Sequence, residues 1–225
     1  MPKFKKIIRK KTEKELILEF VSIFKDSARK KERLKKRFSF VLTGGSSPIN
    51  LYKSLSKIKI NWKNIDLFWG DERFVSRKSN NSNYKLAKKF LIKNIDINKK
   101  NIYAINTNKK NANEAATAYS KKIKEYFKNK NKFFDLILLG MGLDGHIASL
   151  FPSNIKTNQN LLAKPVVRED FIRITLGLNL INKSKNICLW LNNRRKSNTL
   201  KKIKNKKNIP VNYLKKKNTN LFIIK

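Results

Sequence analysis

The chain has 225 residues, of which 54 are Lys or Arg and 15 are Asp or Glu, giving a net charge of +39 with one histidine and one cysteine. This length is ordinary for a single α/β unit and allows a sizeable core, so residues 1–225 are expected to form one domain without a linker. A lone cysteine, Cys188, excludes an intrachain disulfide and reads as a buried thiol in an apolar strand, and no apolar run is long enough to span a membrane. The basic start is followed by Leu16, Ile17, Leu18, Phe20, Val21, Ile23 and Phe24, but Glu15, Glu19 and Lys25 interrupt it and make a poor signal peptide, so a cytoplasmic protein is expected.

In chain order, Met1 to Lys36 offers a lysine-rich start and one amphipathic helix, Glu13 to Lys25. Apolar strands follow at Phe38 to Leu42 and Ile65 to Trp69, with a helix start at Ile49 to Leu55 between them. Ser79 to Asn83 reads as a cap for the helix Tyr84 to Ile92; a strand at Asn101 to Ile105 and a helix at Glu114 to Phe127 come next. The remaining strands are Phe134 to Leu139, Phe171 to Leu176, Ile187 to Leu191 and Leu221 to Ile224. Such alternation predicts an α/β fold with a mostly parallel sheet flanked by helices, Rossmann-like but without dinucleotide binding.

Three strand ends carry the candidate chemistry. Residues 140–152, Gly-Met-Gly-Leu-Asp-Gly-His-Ile-Ala-Ser-Leu-Phe-Pro, place the sole histidine in a glycine-rich turn directly after an apolar strand. Loops at the carboxyl ends of such strands bind ligands in open α/β sheets, and imidazole suits general acid/base work near neutral pH. If imidazole chemistry is used, His146 carries it; a hydrogen-bonded structural histidine is the other reading. Gly140, Gly142 and Gly145 also fit the Gly-x-Gly-x-x-Gly spacing, yet no acid stands near Asn160 to Lys164, where a dinucleotide fold would hold its ribose.

After the Phe38 to Leu42 strand, Gly44-Gly45-Ser46-Ser47-Pro48 reads as a tight turn into a helix, with Ser46 or Ser47 as cap and Pro48 at the first helical position. Exposed amides there attract an anion such as phosphate, although the same residues serve as a plain strand-to-helix connection. After Ile65 to Trp69, Asp71, Glu72 and Arg73 form a cluster in a chain poor in acids. Arg73 offers a planar fork for phosphate, and Asp71 and Glu72 can orient it or hold neighbouring loops; a structural ion-pair network is the alternative.

Taken in order, Gly44-Gly45-Ser46-Ser47-Pro48, Gly70-Asp71-Glu72-Arg73, Ser82-Asn83-Tyr84, residues 140–152 and Arg173-Ile174-Thr175-Leu176 resemble the motifs of 6-phosphogluconolactonases, within a wider group that includes glucosamine-6-phosphate deaminases. After the histidine, Ala148-Ser149-Leu150-Phe151-Pro152 has the lactonase form, with Phe151 where deaminases carry a glutamate. The resemblance implies a hydrolase that opens 6-phospho-D-glucono-1,5-lactone in the pentose phosphate pathway, with no cofactor and no metal. His146 would take a proton from water as it attacks the carbonyl and return it to the ring oxygen, while Asp144 orients the imidazole. Gly44, Gly45, Ser46, Ser47 and Arg73 would bind the phosphate, with Lys196 as a further contact and Asp71, Glu72 and Arg173 in support. The chain departs from the pattern at Asn193, a glycine position; at Ser47, usually Thr; and at Glu169 to Ile172, which replace a proline-rich lead. Its carboxyl-terminal third, including Lys201 to Asn208, looks eroded, which implies lower stability and efficiency.

The charge raises two further readings. A basic chain can bind nucleic acid or anionic membranes, but this charge is mostly lysine and is spread along the whole sequence, so no specific nucleic-acid or membrane partner is expected. Its field could instead steer an anionic sugar phosphate inward. A deaminase-like enzyme and a non-catalytic sugar-phosphate sensor remain alternatives, though the sensor reading lacks a preceding helix-turn-helix module. A monomer or small homo-oligomer is expected.

Overall fold

The computed structural model describes residues 4–128, 133–155, 160–203 and 206–225. Its elements are β1 (Lys6–Lys10), α1 (Glu13–Arg33), β2 (Phe38–Leu42), α2 (Ile49–Leu55), β3 (Ile65–Trp69), β4 (Asp71–Arg73), α3 (Asn83–Phe90), β5 (Ile102–Tyr103), α4 (Ala112–Phe127), β6 (Leu136–Leu139), β7 (Ala163–Val166), β8 (Arg173–Leu176), α5 (Leu178–Asn182), β9 (Ile187–Leu191), α6 (Arg194–Ile203) and β10 (Thr219–Ile224). Seven strands form a parallel sheet in the order β1-β10-β9-β6-β2-β3-β5, and β4, β8 and β7 form a small antiparallel sheet.

The central strands of the large sheet are buried because they are mostly apolar: every residue of β2, β3, β6 and β9 is buried, Ser39 and Asp66 included. Phe38 and Phe40 of β2 meet Phe24 of α1, and Phe20 one turn earlier in α1 meets Trp190 and Phe222. Val41 points the other way, and so does its register partner Phe68, which packs on Tyr103, Tyr126 and Phe134. Aromatic clusters therefore cover both faces. Where β2 and β3 end, two tyrosines satisfy the departing backbone: the Tyr52 hydroxyl donates to the Thr43 carbonyl and accepts its N–H, and Tyr119 does the same at Trp69.

Helix starts follow local chemistry. Thr12 accepts the Glu15 N–H at 3.2 Å to open α1, Ser82 accepts that of Lys85 to open α3, and Asn111 accepts that of Glu114 to open α4. The first helix runs to Arg33 rather than stopping at Lys25, since Ala28 extends its buried stripe and Lys30, Lys31 and Arg33 suit its carboxyl end.

Several expectations are corrected. Phe171 to Leu176 is not a strand of the parallel sheet; β8 begins at Arg173 and lies at the centre of the antiparallel one. The strand at Asn101 to Ile105 shrinks to Ile102–Tyr103, and α3 ends at Phe90 before Ile92. Within the lysine-rich start, Lys6–Lys10 is an edge strand paired with β10. Neither Ser46 nor Ser47 caps α2; Pro48 occupies the cap position. The carboxyl-terminal third supplies α6 and β10, the latter held between β1 and β9; Lys204 and Asn205 of its basic stretch lie outside the described residues. Cys188 is buried in β9, which pushes its thiol up to about 12.

At the amino ends of β2 and β6, Asp135 gathers Lys31 (2.7 Å), Lys185 (2.8 Å) and the Ser39 N–H and hydroxyl. Burial would raise this carboxyl, but the hydrogen bonds from Lys185, Lys31 and Ser39 prevail and hold it below its ordinary 3.8. Asp135 thus stabilises the fold above the unfolded carboxyl's range and ceases to do so as pH falls through its lower folded value. Asp135→Asn is expected to cost about 2–4 kcal/mol in urea unfolding at neutral pH, and to flatten the loss of stability below pH 3.8.

Candidate active site

The sheet order contains one reversal. From β2 the chain proceeds through β3 to β5 on one side, whereas β6, β9 and β10 lie on the other. Loops leaving the neighbouring strands β2 and β6 therefore part, opening a crevice at their carboxyl ends. The Gly140 N–H donates to the Thr43 hydroxyl at 3.3 Å and joins the two loops at the base of this crevice.

Two recesses of about 270 and 580 Å³ meet there, and Asp71, Arg73, Leu143, His146 and Ala148 line both. The smaller is walled by the 44–47 turn, Asn83, residues 140–142 and Lys196. In the larger stand Asp144, Ser149, Phe151, Arg168, Asp170 and Arg173.

His146 sits at the junction. Its Nδ1 lies 2.6 Å from Oδ1 of Asp144, which also accepts the His146 backbone N–H at 3.1 Å. Burial acts to raise the Asp144 carboxyl, yet the bonds from the His146 ring and backbone keep it below 3.8, so it remains a carboxylate at neutral pH. Gly142 is required by this pair, because a side chain there would overlap both the imidazole and the carboxylate. Gly145, at φ 85°, turns the chain between Asp144 and His146 and faces Ile203 and Ile209 too closely for any side chain. No helix follows β6; residues 140–146 curl back instead, the Gly142 N–H bonding to the His146 carbonyl. This is not the strand-turn-helix of a dinucleotide site.

In the 44–47 turn, Gly45 adopts φ 77° and Gly44 abuts the Asn83 side chain too closely for a Cβ. Asn83 is itself fixed by the Asp71 carbonyl at 3.0 Å. Lys196 reaches this turn from α6 and donates to the Ser47 hydroxyl at 2.6 Å. Asn193, standing at the glycine position, accepts the Lys196 N–H at 2.9 Å and its carbonyl accepts the Ser197 N–H, so it serves as the helix cap. Burial lowers the Lys196 ammonium from its ordinary 10.5, and among the described residues it has no carboxylate partner.

Of the two roles expected for Asp71 and Glu72, both take that of holding neighbouring loops. Glu72 does not pair with the Arg73 side chain. Its buried carboxylate accepts the N–H groups of Asn83 (2.7 Å) and Tyr84 (2.8 Å) and the Ser82 hydroxyl, binding β4 to the start of α3. Burial raises its carboxyl and those bonds oppose the rise. Asp71 accepts the Ser149 hydroxyl at 2.6 Å, tying β4 to the loop after His146. Arg73 donates to the Asn81 carbonyl at 2.7 Å and lies over the Phe171 ring. Arg173, its cross-strand partner, is held by Asp170 through bonds of 2.8 and 2.6 Å, and that pairing draws the Asp170 carboxyl down to about 2.

The sequence-derived candidates thus converge on one cleft, except Glu72, which braces it from behind. Asn83, Ser149, Phe151 and Arg168 were not anticipated as lining residues. Phe151 sets its ring, tilted by 41°, 4.5 Å from the imidazole and has the Arg168 guanidinium 4.6 Å away. The available signal for Arg168 was chemical, an arginine in a chain that otherwise favours lysine. Among the described residues no three His, Cys, Asp or Glu side chains are placed to hold a metal ion, and no helix is long and apolar enough to cross a membrane.

Comparison with known proteins bears on this cleft. The 6-phosphogluconolactonase of Haemophilus influenzae is 36% identical over 170 residues, covering 72% of this chain and 71% of that protein. The Nostoc sp. 6-phosphogluconolactonase is 40% identical over 119 residues, so that match spans half, 50%, of the relative's length. The crystal structure of 6-phosphogluconolactonase from Thermotoga maritima superposes with a TM-score of 0.85 at 26% identity, covering 97% of this chain and 99% of that one. A family model described as glucosamine-6-phosphate isomerases/6-phosphogluconolactonase matches residues 11–223, nearly the whole chain with its crevice loops included, and to that family the chain belongs.

Proposed function

We propose that the protein hydrolyses 6-phospho-D-glucono-1,5-lactone to 6-phosphogluconate, as a single domain of 225 residues acting in the cytoplasm on the oxidative branch of the pentose phosphate pathway. The observation that carries this reading is the His146–Asp144 pair opening onto a cleft whose other end offers Lys196 and the 44–47 turn. The names of the relatives support it, as does Phe151 where a deaminase would carry a glutamate.

With Nδ1 engaged by Asp144, Nε2 of His146 is the nitrogen that accepts a proton from water as the oxygen attacks C1. The C1–ring oxygen bond then breaks, the proton passes from Nε2 to that oxygen, and the acid formed ionises. Asp144 holds the ring in the required tautomer and offsets the charge of the imidazolium. Lys196, Ser47 and the turn amides take the phosphate, with Arg73 alongside, and fix the far end of the substrate so that C1 reaches the base.

Lactone generated freshly beside purified protein should disappear faster than by spontaneous hydrolysis, and glucosamine 6-phosphate should not be consumed. His146→Ala is expected to lower kcat by about 10²- to 10⁴-fold and Asp144→Asn by about 10- to 100-fold. Binding of the sugar phosphate without turnover would favour the sensor, and turnover of the amino sugar the deaminase.

Lys196→Ala should raise KM by about tenfold while changing kcat little, since the contact acts on ground and transition states alike. Because burial lowers the Lys196 ammonium below 10.5, its proton is lost at a lower pH than from an ordinary lysine. Calorimetric affinity for 6-phosphogluconate should accordingly decline as pH rises toward that range, and this decline should be absent in Lys196→Ala.

A further inference from the structure

In a chain whose cations are mostly lysine, the larger recess is lined by Arg73, Arg168 and Arg173 and, among the described residues, by no lysine. A guanidinium offers a flat fork of N–H groups that an ammonium cannot replace. Two of the three are already occupied. Arg173 is bridged by Asp170 through two hydrogen bonds, and Arg73 donates to the Asn81 carbonyl. Arg168 is exposed and, among the described residues, makes no ion pair. Its guanidinium is nevertheless placed, 4.6 Å over the Phe151 ring, and the same ring lies 4.5 Å from the His146 imidazole. This contact holds the guanidinium over the ring, and among the described residues its N–H groups make no hydrogen bond that would keep them from a planar anion.

We infer that Arg168 is a specificity residue that receives the carboxylate formed at C1. The inference rests on the lactonase reading. The substrate is neutral at C1, whereas the product carries a charge there, and the intermediate state carries it on the former carbonyl oxygen. With the phosphate at the 44–47 turn and C1 beside His146, that new charge emerges in the recess where Arg168 stands. Arg168 therefore distinguishes the product, and the charge-bearing state before it, from the neutral lactone. The recess is selective for a six-carbon phosphate with a carboxylate at the opposite end.

Calorimetry with two probes of equal chain length tests this: 6-phosphogluconate, and sorbitol 6-phosphate, which has a hydroxymethyl group in place of the carboxylate. Wild-type protein should prefer the former. Arg168→Ala should weaken 6-phosphogluconate by about five- to tenfold, leave sorbitol 6-phosphate within about twofold, and lower kcat for the lactone with little change in KM. Arg168→Lys, which keeps the charge without the fork, should fall between. An equal loss for both probes would put the phosphate at Arg168 and overturn the inference, as would unchanged affinity for both or a wild type indifferent to the carboxylate. Absence of lactone turnover in a wild type that still prefers 6-phosphogluconate through Arg168 would refute the lactonase reading while leaving the carboxylate contact standing.

Discussion

Two adjacent parallel strands, β2 and β6, share register at Phe40 with Leu136 and Val41 with Ile137, and from this pair the rest of the sheet grows outward in both directions. Their exit loops have no common side to turn to, so the crevice between them is a requirement of connectivity rather than an addition to it. Burial fixes the strands, the strands fix the crevice, and the chemistry is left to short loops. The tyrosine clamps at Thr43 and Trp69 set the residue at which each loop may leave the sheet.

Within the crevice and behind it, most of the acids have a mechanical task. Glu72 ties β4 to α3, Asp71 ties β4 to the loop holding Ser149, and Asp170 steadies Arg173. Only Asp144 works directly on the imidazole. Glu72 and Asp71 spend their carboxylates on backbone N–H groups and hydroxyls rather than on the crevice's cations, and Lys196 has no carboxylate partner among the described residues. The surplus lysine elsewhere adds a diffuse field of the same sign, strongest at low ionic strength.

The sequence revealed those parts of the molecule whose physics is local. β2, β3 and β9 were bounded correctly because short, mostly apolar runs, broken only by Ser39 in β2 and Asp66 in β3, fit the buried strands of a parallel sheet. β1 shows a single buried residue, Ile8, and β7 contains Pro165, so neither edge strand leaves an alternating pattern. α6, with Arg194-Arg195-Lys196 and Lys201-Lys202, has too few apolar residues to show a period. At the site, the histidine turn and the glycine pair were legible because glycine marks conformations other residues avoid, as at Gly45 and Gly145. For Glu72 the sequence left two roles open, orienting Arg73 or holding a neighbouring loop, and the strand decides for the second by placing the two side chains on opposite sides of the backbone.

Lys196 reaches the 44–47 turn from the first turn of α6, whose start is pinned by Asn193 immediately beyond β9. Its position is thus counted in helical steps from the end of a buried strand. Each residue gained or lost between Asn193 and Lys196 would swing the ammonium by about 100° around the helix axis and shift it about 1.5 Å along it. Point substitutions can drift freely on the outer face of this helix, but its length up to Lys196 cannot change without carrying the cation out of the crevice.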